Sequence, residues 1–211
     1  MKQVLPNLYL LRHEAVAKPT PFTFLARRPT GNLLFATKAD ISGFFSEIEK
    51  QGGVSAILLG DRHHVSADTV VLARHFNVPL TCSRVEAKVL QAKGFEIGNP
   101  LPFTAQSLTE DLQIIPLPGH TQGAFAYLWS NEGQKILFIG DTLVPVDQGW
   151  QYWVSPPSRK KLAESLRLLK DIAFDHIVSN SFACTGNPCR KVGAADRNAL
   201  LDQAISSLLK G

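Results

Sequence analysis

Cysteine is scarce in this chain, with three in 211 residues, at positions 82, 184 and 189. An odd, low count builds no disulfide framework, and this favours a reducing, cytoplasmic setting. Cys184 and Cys189 flank Gly186-Asn187-Pro188 and are spaced to bridge across a turn. Free thiols are the expected state, because no second ligand pair stands nearby to complete a zinc knuckle. Long apolar runs are also missing. None approaches the roughly 20 residues of a membrane span, and the opening MKQVLPNLYLLRHEA has no small-residue cleavage site, so it reads as a first strand and not a signal peptide. Nor is there a strong excess of one charge. The formal net charge is +4, and its densest basic groups, Arg27-Arg28 and Arg159-Lys160-Lys161, carry no interleaved aromatics. A nucleic-acid partner and a membrane partner are therefore not expected.

The composition that remains is that of a globular protein, 45% hydrophobic and 19% charged, long enough for one sizeable core. A single domain over residues 1–211 is the expectation. Short β-type runs alternate with helix-period segments, without repeats, low-complexity stretches or linkers. Leu8–Leu11, Phe22–Leu25 and Leu33–Ala36 read as strands, the last two separated by the turn Arg28-Pro29-Thr30-Gly31-Asn32. Asp40 is placed to cap a helix carrying Ile41, Phe44, Phe45 and Ile48 on one face, ended by Gly52-Gly53. Val54–Leu59 reads as a buried strand, Thr69–Phe76 and Glu86–Ala92 as helices, and Val78–Thr81 as a short strand between them. Leu112–Ile115, Ala124–Trp129 and Ile136–Ile139 form a β-rich stretch. A helix with Leu162, Leu166, Leu169 and Ala173 on one face, the strand Ile177-Val178 and a last helix lined by Leu201, Ala204, Ile205 and Leu208 close the chain. This order suits an α/β sandwich.

Three strand ends carry residues suited to metal ligation, where loops held by a rigid sheet commonly place function. The first is Leu59-Gly60-Asp61-Arg62-His63-His64. The second is Pro116-Leu117-Pro118-Gly119-His120-Thr121, and the third Phe138-Ile139-Gly140-Asp141-Thr142. In extended backbone, Asp61 and His63 at i and i+2 point the same way and face one ion, while His64 points away, a surface residue or a support for its neighbours. Pro118-Gly119 makes the turn that swings His120 inward, and Gly140 allows close backbone approach at Asp141. Singly, each has an ordinary explanation as a surface His or a helix cap. Three together favour a cluster, and imidazole with carboxylate suits zinc, iron or manganese.

With these residues in view, the chain resembles the metallo-β-lactamase superfamily. VLPNLYLLR, TFLARRPTGNLLFATK, PLPGHTQGAFAYLW, ILFIGDTLV and KLAESLRLLKDIAFDHIVSNS fall in that family's order. The resemblance implies a four-layer αββα sandwich with metals at one edge. The family's first motif, His-x-His-x-Asp-His, is matched here by Asp61-Arg62-His63-His64-Val65-Ser66. The middle His is matched at His120 and the bridging Asp at Asp141, while the final His is replaced by Ser181. On the family's pattern, the second ion has lost its ligands at Val65, Ser66 and Ser181. The first keeps Asp61, His63, His120 and Asp141, so a single divalent ion, zinc foremost, is expected.

The resemblance implies a metal-dependent hydrolase acting on a small molecule of the ester, thioester, lactone or phosphodiester class. Asp141 would be the general base, since Val65 removes the carboxylate that would orient water. Trp150, Tyr152 and Trp153 stand where a pocket wall would lie, or else pack the following helix against the sheet. Two competing readings are a non-catalytic relative kept as a binding module and a thiol redox protein using Cys184 and Cys189.

Overall fold

The computed structural model of the chain describes residues 1–12, 21–147 and 149–210. The end of the opening stretch, residues 13–15, and Gln148 of the aromatic segment lie outside them. The chain forms two compact units, residues 1–102 with 180–182, and residues 103–179 with 183–211.

In the first unit, β1 (Lys2–Leu5), β2 (Leu8–Leu11), β3 (Thr23–Ala26) and β4 (Leu33–Phe35) pair antiparallel in sequence order. They continue into β5 (Ala56–Leu58), β6 (Leu80–Ser83) and β7 (Asn99–Leu101), each parallel to its predecessor, to give a seven-stranded sheet. The switch from antiparallel to parallel follows from the connections. Antiparallel neighbours need no crossover, whereas between the parallel strands α1 (Phe45–Lys50), α2 (Ala67–Phe76) and α3 (Arg84–Ala92) supply the crossovers that parallel pairing needs. The helix expected from Asp40 begins as a 3-10 turn over Ser42–Phe44, with Asp40 Oδ1 accepting from the Ser42 amide at 2.9 Å. Ile48, Leu72 and Leu90 bury one face of each helix in a core shared with Leu34, Ile57 and Leu80. A fully buried side chain of this kind contributes about 1.5–3 kcal/mol.

The second unit holds β8 (Gln106–Thr109), β9 (Leu112–Pro116), β10 (Phe125–Asn131), β11 (Gln134–Phe138), β14 (His176–Val178) and β15 (Cys189–Lys191), in a six-stranded sheet of order β15-β14-β11-β10-β9-β8. A separate two-stranded hairpin, β12 (Val144–Val146) with β13 (Gly149–Gln151), sits between β11 and the helices. The β10–β11 hairpin turns at Glu132 and Gly133, both at positive φ (48° and 77°), which matches the twist of the flanking strands. α4 (Arg159–Leu168) and α5 (Ala194–Lys210) pack Leu162, Leu166, Leu201 and Ile205 onto Leu128 and Leu137 of this sheet. The mixed α/β fold with two large sheets agrees with the fold class expected from the sequence. Among the described residues, no helix is long and apolar enough to cross a membrane.

Candidate metal centre

The loop after β5 is not the extended segment that residue spacing suggests. Asp61 is extended (φ −158°, ψ −176°), but Arg62–His64 then closes a 3-10 turn. The cause is the Asp61 side chain, whose Oδ1 accepts from the His63 amide at 2.7 Å and caps the turn. Asp61 and His63 still meet, with His63 Nδ1 3.2 Å from Asp61 Oδ1, through the turn and not by strand alternation. Asp61 is buried, while the His63 side chain is half-exposed. His64 is not a surface residue. It is 3% exposed, its Nδ1 accepts from the Gly60 amide at 3.1 Å, and its Nε2 lies 3.9 Å from Asp61 Oδ2. His64 is therefore tied to the loop at Gly60, beside the Asp61 carboxylate.

His120 and Asp141 form a second pair, in the second unit, with His120 Nε2 3.8 Å from Asp141 Oδ2. Gly119 makes the turn before His120 with φ +153°, and a Cβ there would meet Leu162 Cβ at 2.6 Å and Cα at 2.7 Å, so only glycine lets the loop lie against α4. Ser165 Oγ of the same helix donates to the Pro118 carbonyl at 2.6 Å. His120 Nδ1 bonds the Trp153 carbonyl at 2.5 Å. A carbonyl only accepts, so Nδ1 carries the proton and Nε2 is the lone-pair nitrogen of the neutral ring. That is the tautomer a metal-ligating histidine needs. Gly140, at φ +59°, precedes Asp141, and its carbonyl accepts from Ser179 Oγ at 2.8 Å.

No family model matches the chain. Solved structures do resemble it over nearly its whole length. The solved structure of VMB-1 superposes with a TM-score of 0.71 at 14% identity, over 98% of this chain and 96% of that one. A B3 metallo-β-lactamase with an active-site glutamic acid gives 0.68 at 20% identity, over 99% and 88%. Curated relatives are hydroxyacylglutathione hydrolases. The protein from Pectobacterium atrosepticum is 30% identical over 125 residues, 58% of this chain and 45% of its own length. That from Albidiferax ferrireducens is 33% identical over 90 residues, 39% of this chain and 35% of its own length. The match therefore spans less than half of either relative. The chain has the metallo-β-lactamase fold.

The positions at which this chain departs from the metal motif have structural roles. Val65 packs against the core of the first unit. Ser66 caps α2 in a capping box. Its side chain accepts from the third helical amide while Thr69 Oγ1 accepts from the Ser66 amide at 3.0 Å. Ser181 is 2% exposed, next to Asn180, whose Nδ2 donates to the carbonyls of Phe22 and Phe35 at 2.8 and 3.3 Å.

The aromatic segment divides. Trp150 and Tyr152 pack against the core of the second unit, with Arg190 over the Trp150 ring at 5.3 Å and Tyr152 Oη 2.8 Å from Ser207 Oγ. Trp153 is 51% exposed and contributes its carbonyl to His120. The packing alternative accounts for Trp150 and Tyr152, whereas the role of Trp153 toward His120 runs through its backbone, which residue type does not reveal. Cys184 and Cys189 are buried free thiols. Burial pushes Cys189 up to about 12, which leaves it a poor nucleophile at neutral pH.

Sequence reasoning missed one buried charge beside this loop. Glu86, fully buried on the first turn of α3, faces Arg62, the residue between Asp61 and His63. The pattern Ser83-x-x-Glu86 carries the signature of a helix cap, and Ser83 Oγ does accept from the Glu86 amide at 3.1 Å. The carboxylate itself is committed to Arg62, and nothing in the local pattern signals a partner 24 residues away.

Proposed function

We propose that this chain is a metal-dependent hydrolase with a mononuclear site. One divalent cation, zinc foremost and iron or manganese as alternatives, would be held by Asp61, His63, His120 and Asp141. The donor set fits such an ion, since two imidazoles and two carboxylates suit borderline divalent metals. The observation that carries the reading is the His120–Trp153 hydrogen bond, which fixes the ligating tautomer and directs Nε2 to the side of Asp141. Among substrate classes a thioester of a small acyl group comes first, on the strength of the hydroxyacylglutathione hydrolase relatives.

When bound, the ion supplies acidified water and polarisation of the scissile carbonyl. The chain's own residues do the rest. Asp141 takes the proton of the attacking water, because the carboxylate that would otherwise do so is replaced by Val65. His120 is held by Trp153, and Asp61 by the His63 amide, so neither ligand reorganises during turnover. Two carboxylates in the donor set weaken Lewis acidity, so turnover is slower than in a two-metal relative.

A second reading, a non-catalytic binding module, draws support from Val65 and Ser66, which have passed to packing and capping. One experiment separates the two. Metal is measured in protein purified without added metal or chelator, beside Asp61→Ala and His120→Ala, and each is assayed on a hydroxyacylglutathione thioester. About one ion per chain, lost with activity in both variants, supports the hydrolase. No ion after reconstitution rejects it and favours the binding module.

A further inference from the structure

We propose that Glu86 is a positioning residue for the metal site, acting through Arg62 on the loop that carries Asp61 and His63; the inference rests on the metal-site reading above. Three contacts converge on one carboxylate. Arg62 Nη2 donates to Glu86 Oε1 at 3.1 Å, and the Arg62 backbone amide donates to Oε2 at 3.2 Å. Arg62 Nε lies 2.7 Å from Oε2 as a charge contact more than an aligned hydrogen bond. Glu86 is therefore tied to the loop by main chain and side chain together, at the residue between two proposed ligands.

The placement of Glu86 makes it a rigid anchor. Its side chain is 0% exposed, its own amide is bonded to Ser83 Oγ, and it stands on the first turn of α3, where the helix dipole favours a negative charge. Its charge is felt nearby, since Cys82 is pushed up to about 12, by burial first and by Glu86 second. Arg62 is only 22% exposed, and its planar fork has fewer ways to meet the carboxylate than a lysine would. Such an arrangement fixes the Arg62 amide, and with it the start of the 3-10 turn that brings His63 Nδ1 to Asp61.

The test compares wild type with Glu86→Gln, Arg62→Lys and the double variant Arg62→Gln/Glu86→Gln. The double variant leaves no lone buried charge and keeps the experiment open if a single variant fails to fold. Zinc affinity is measured by chelator competition well below each unfolding midpoint, together with the visible absorption of the cobalt-substituted protein. The expected result is a loss of about 10–100-fold in zinc affinity and an altered cobalt spectrum in every folded variant. The loss in the double variant should be no larger than in the worse single, because both residues act through one contact. Wild-type affinity and spectrum in folded variants would overturn the positioning role while leaving the metal site standing. A wild-type protein that binds neither zinc nor cobalt would overturn the site and this role with it.

Discussion

With one oxygen the Asp61 carboxylate caps a turn, and with the whole group it stands as a proposed ligand. Asparagine separates these tasks. Its amide oxygen still accepts from the His63 amide, and asparagine caps about as well as aspartate, whereas a neutral amide is a poor partner for zinc. Asp61→Asn should hold unfolding stability within about 0.5 kcal/mol of wild type while weakening zinc binding about tenfold or more. Thermal unfolding of the metal-free protein and chelator competition report the two effects independently. Equal zinc affinity would remove Asp61 from the ligand set. At this scale the sequence revealed which residues to watch but not how they meet. Spacing brought Asp61 and His63 together in an extended segment, and the structure brings them together in a turn that the Asp61 side chain itself induces. Trp153 and Glu86 were illegible for the opposite reason, since one acts by a backbone carbonyl and the other across a long separation.

The elements visible in the sequence were those with strong apolar patterning, such as β3, β4, β5, β10 and β11, and the helices that bury one face. Of the strands that patterning did not single out, β7, β8 and β15 are edges of the two large sheets, and β12 and β13 form a hairpin of their own. Edge strands are short and polar, and β7 carries Pro100, so their strand character comes from the neighbour they pair with and not from their own residues. α2 shows the converse case, in which Ser66, at the place where the metal motif has its last His, serves as a helix cap. Ser66→Ala should cost about 1 kcal/mol of stability through loss of the cap and leave the metal content unchanged. Ser66→His, which restores the family's residue, should cost a similar amount without adding a second ion, because Val65 and Ser181 offer no ligand. Denaturant unfolding and metal analysis of both variants decide this, and a second equivalent of zinc in Ser66→His would refute it.

For the molecule as a whole, the fold was legible because the motifs that carry the resemblance follow one another along most of the chain, and substrate was not, because the metal motif carries no information about it. Stability toward acid is a further whole-molecule property, and His176 sets part of it. The residue lies on β14, beside the edge strand of the second sheet, in register with Ile136 on one side and Lys191 on the other, and is 5% exposed. Among the described residues, its Nδ1 has no hydrogen-bond partner. Burial lowers its pKa below the ordinary 6.5, against a smaller upward pull from Asp175, and Lys191 lowers it further. Between the folded pKa and 6.5 the unfolded chain therefore binds more protons at this ring than the native protein does, so stability rises with pH across that window. The contribution is complete above about 6.5 and is lost as pH falls through the folded value. His176→Gln replaces the ring with a group that does not titrate, and the acids shared by both proteins cancel on subtraction. Urea unfolding at pH 7.5 and pH 5 should show wild type losing more stability on acidification than His176→Gln, and parallel losses would show that this histidine is not the group responsible.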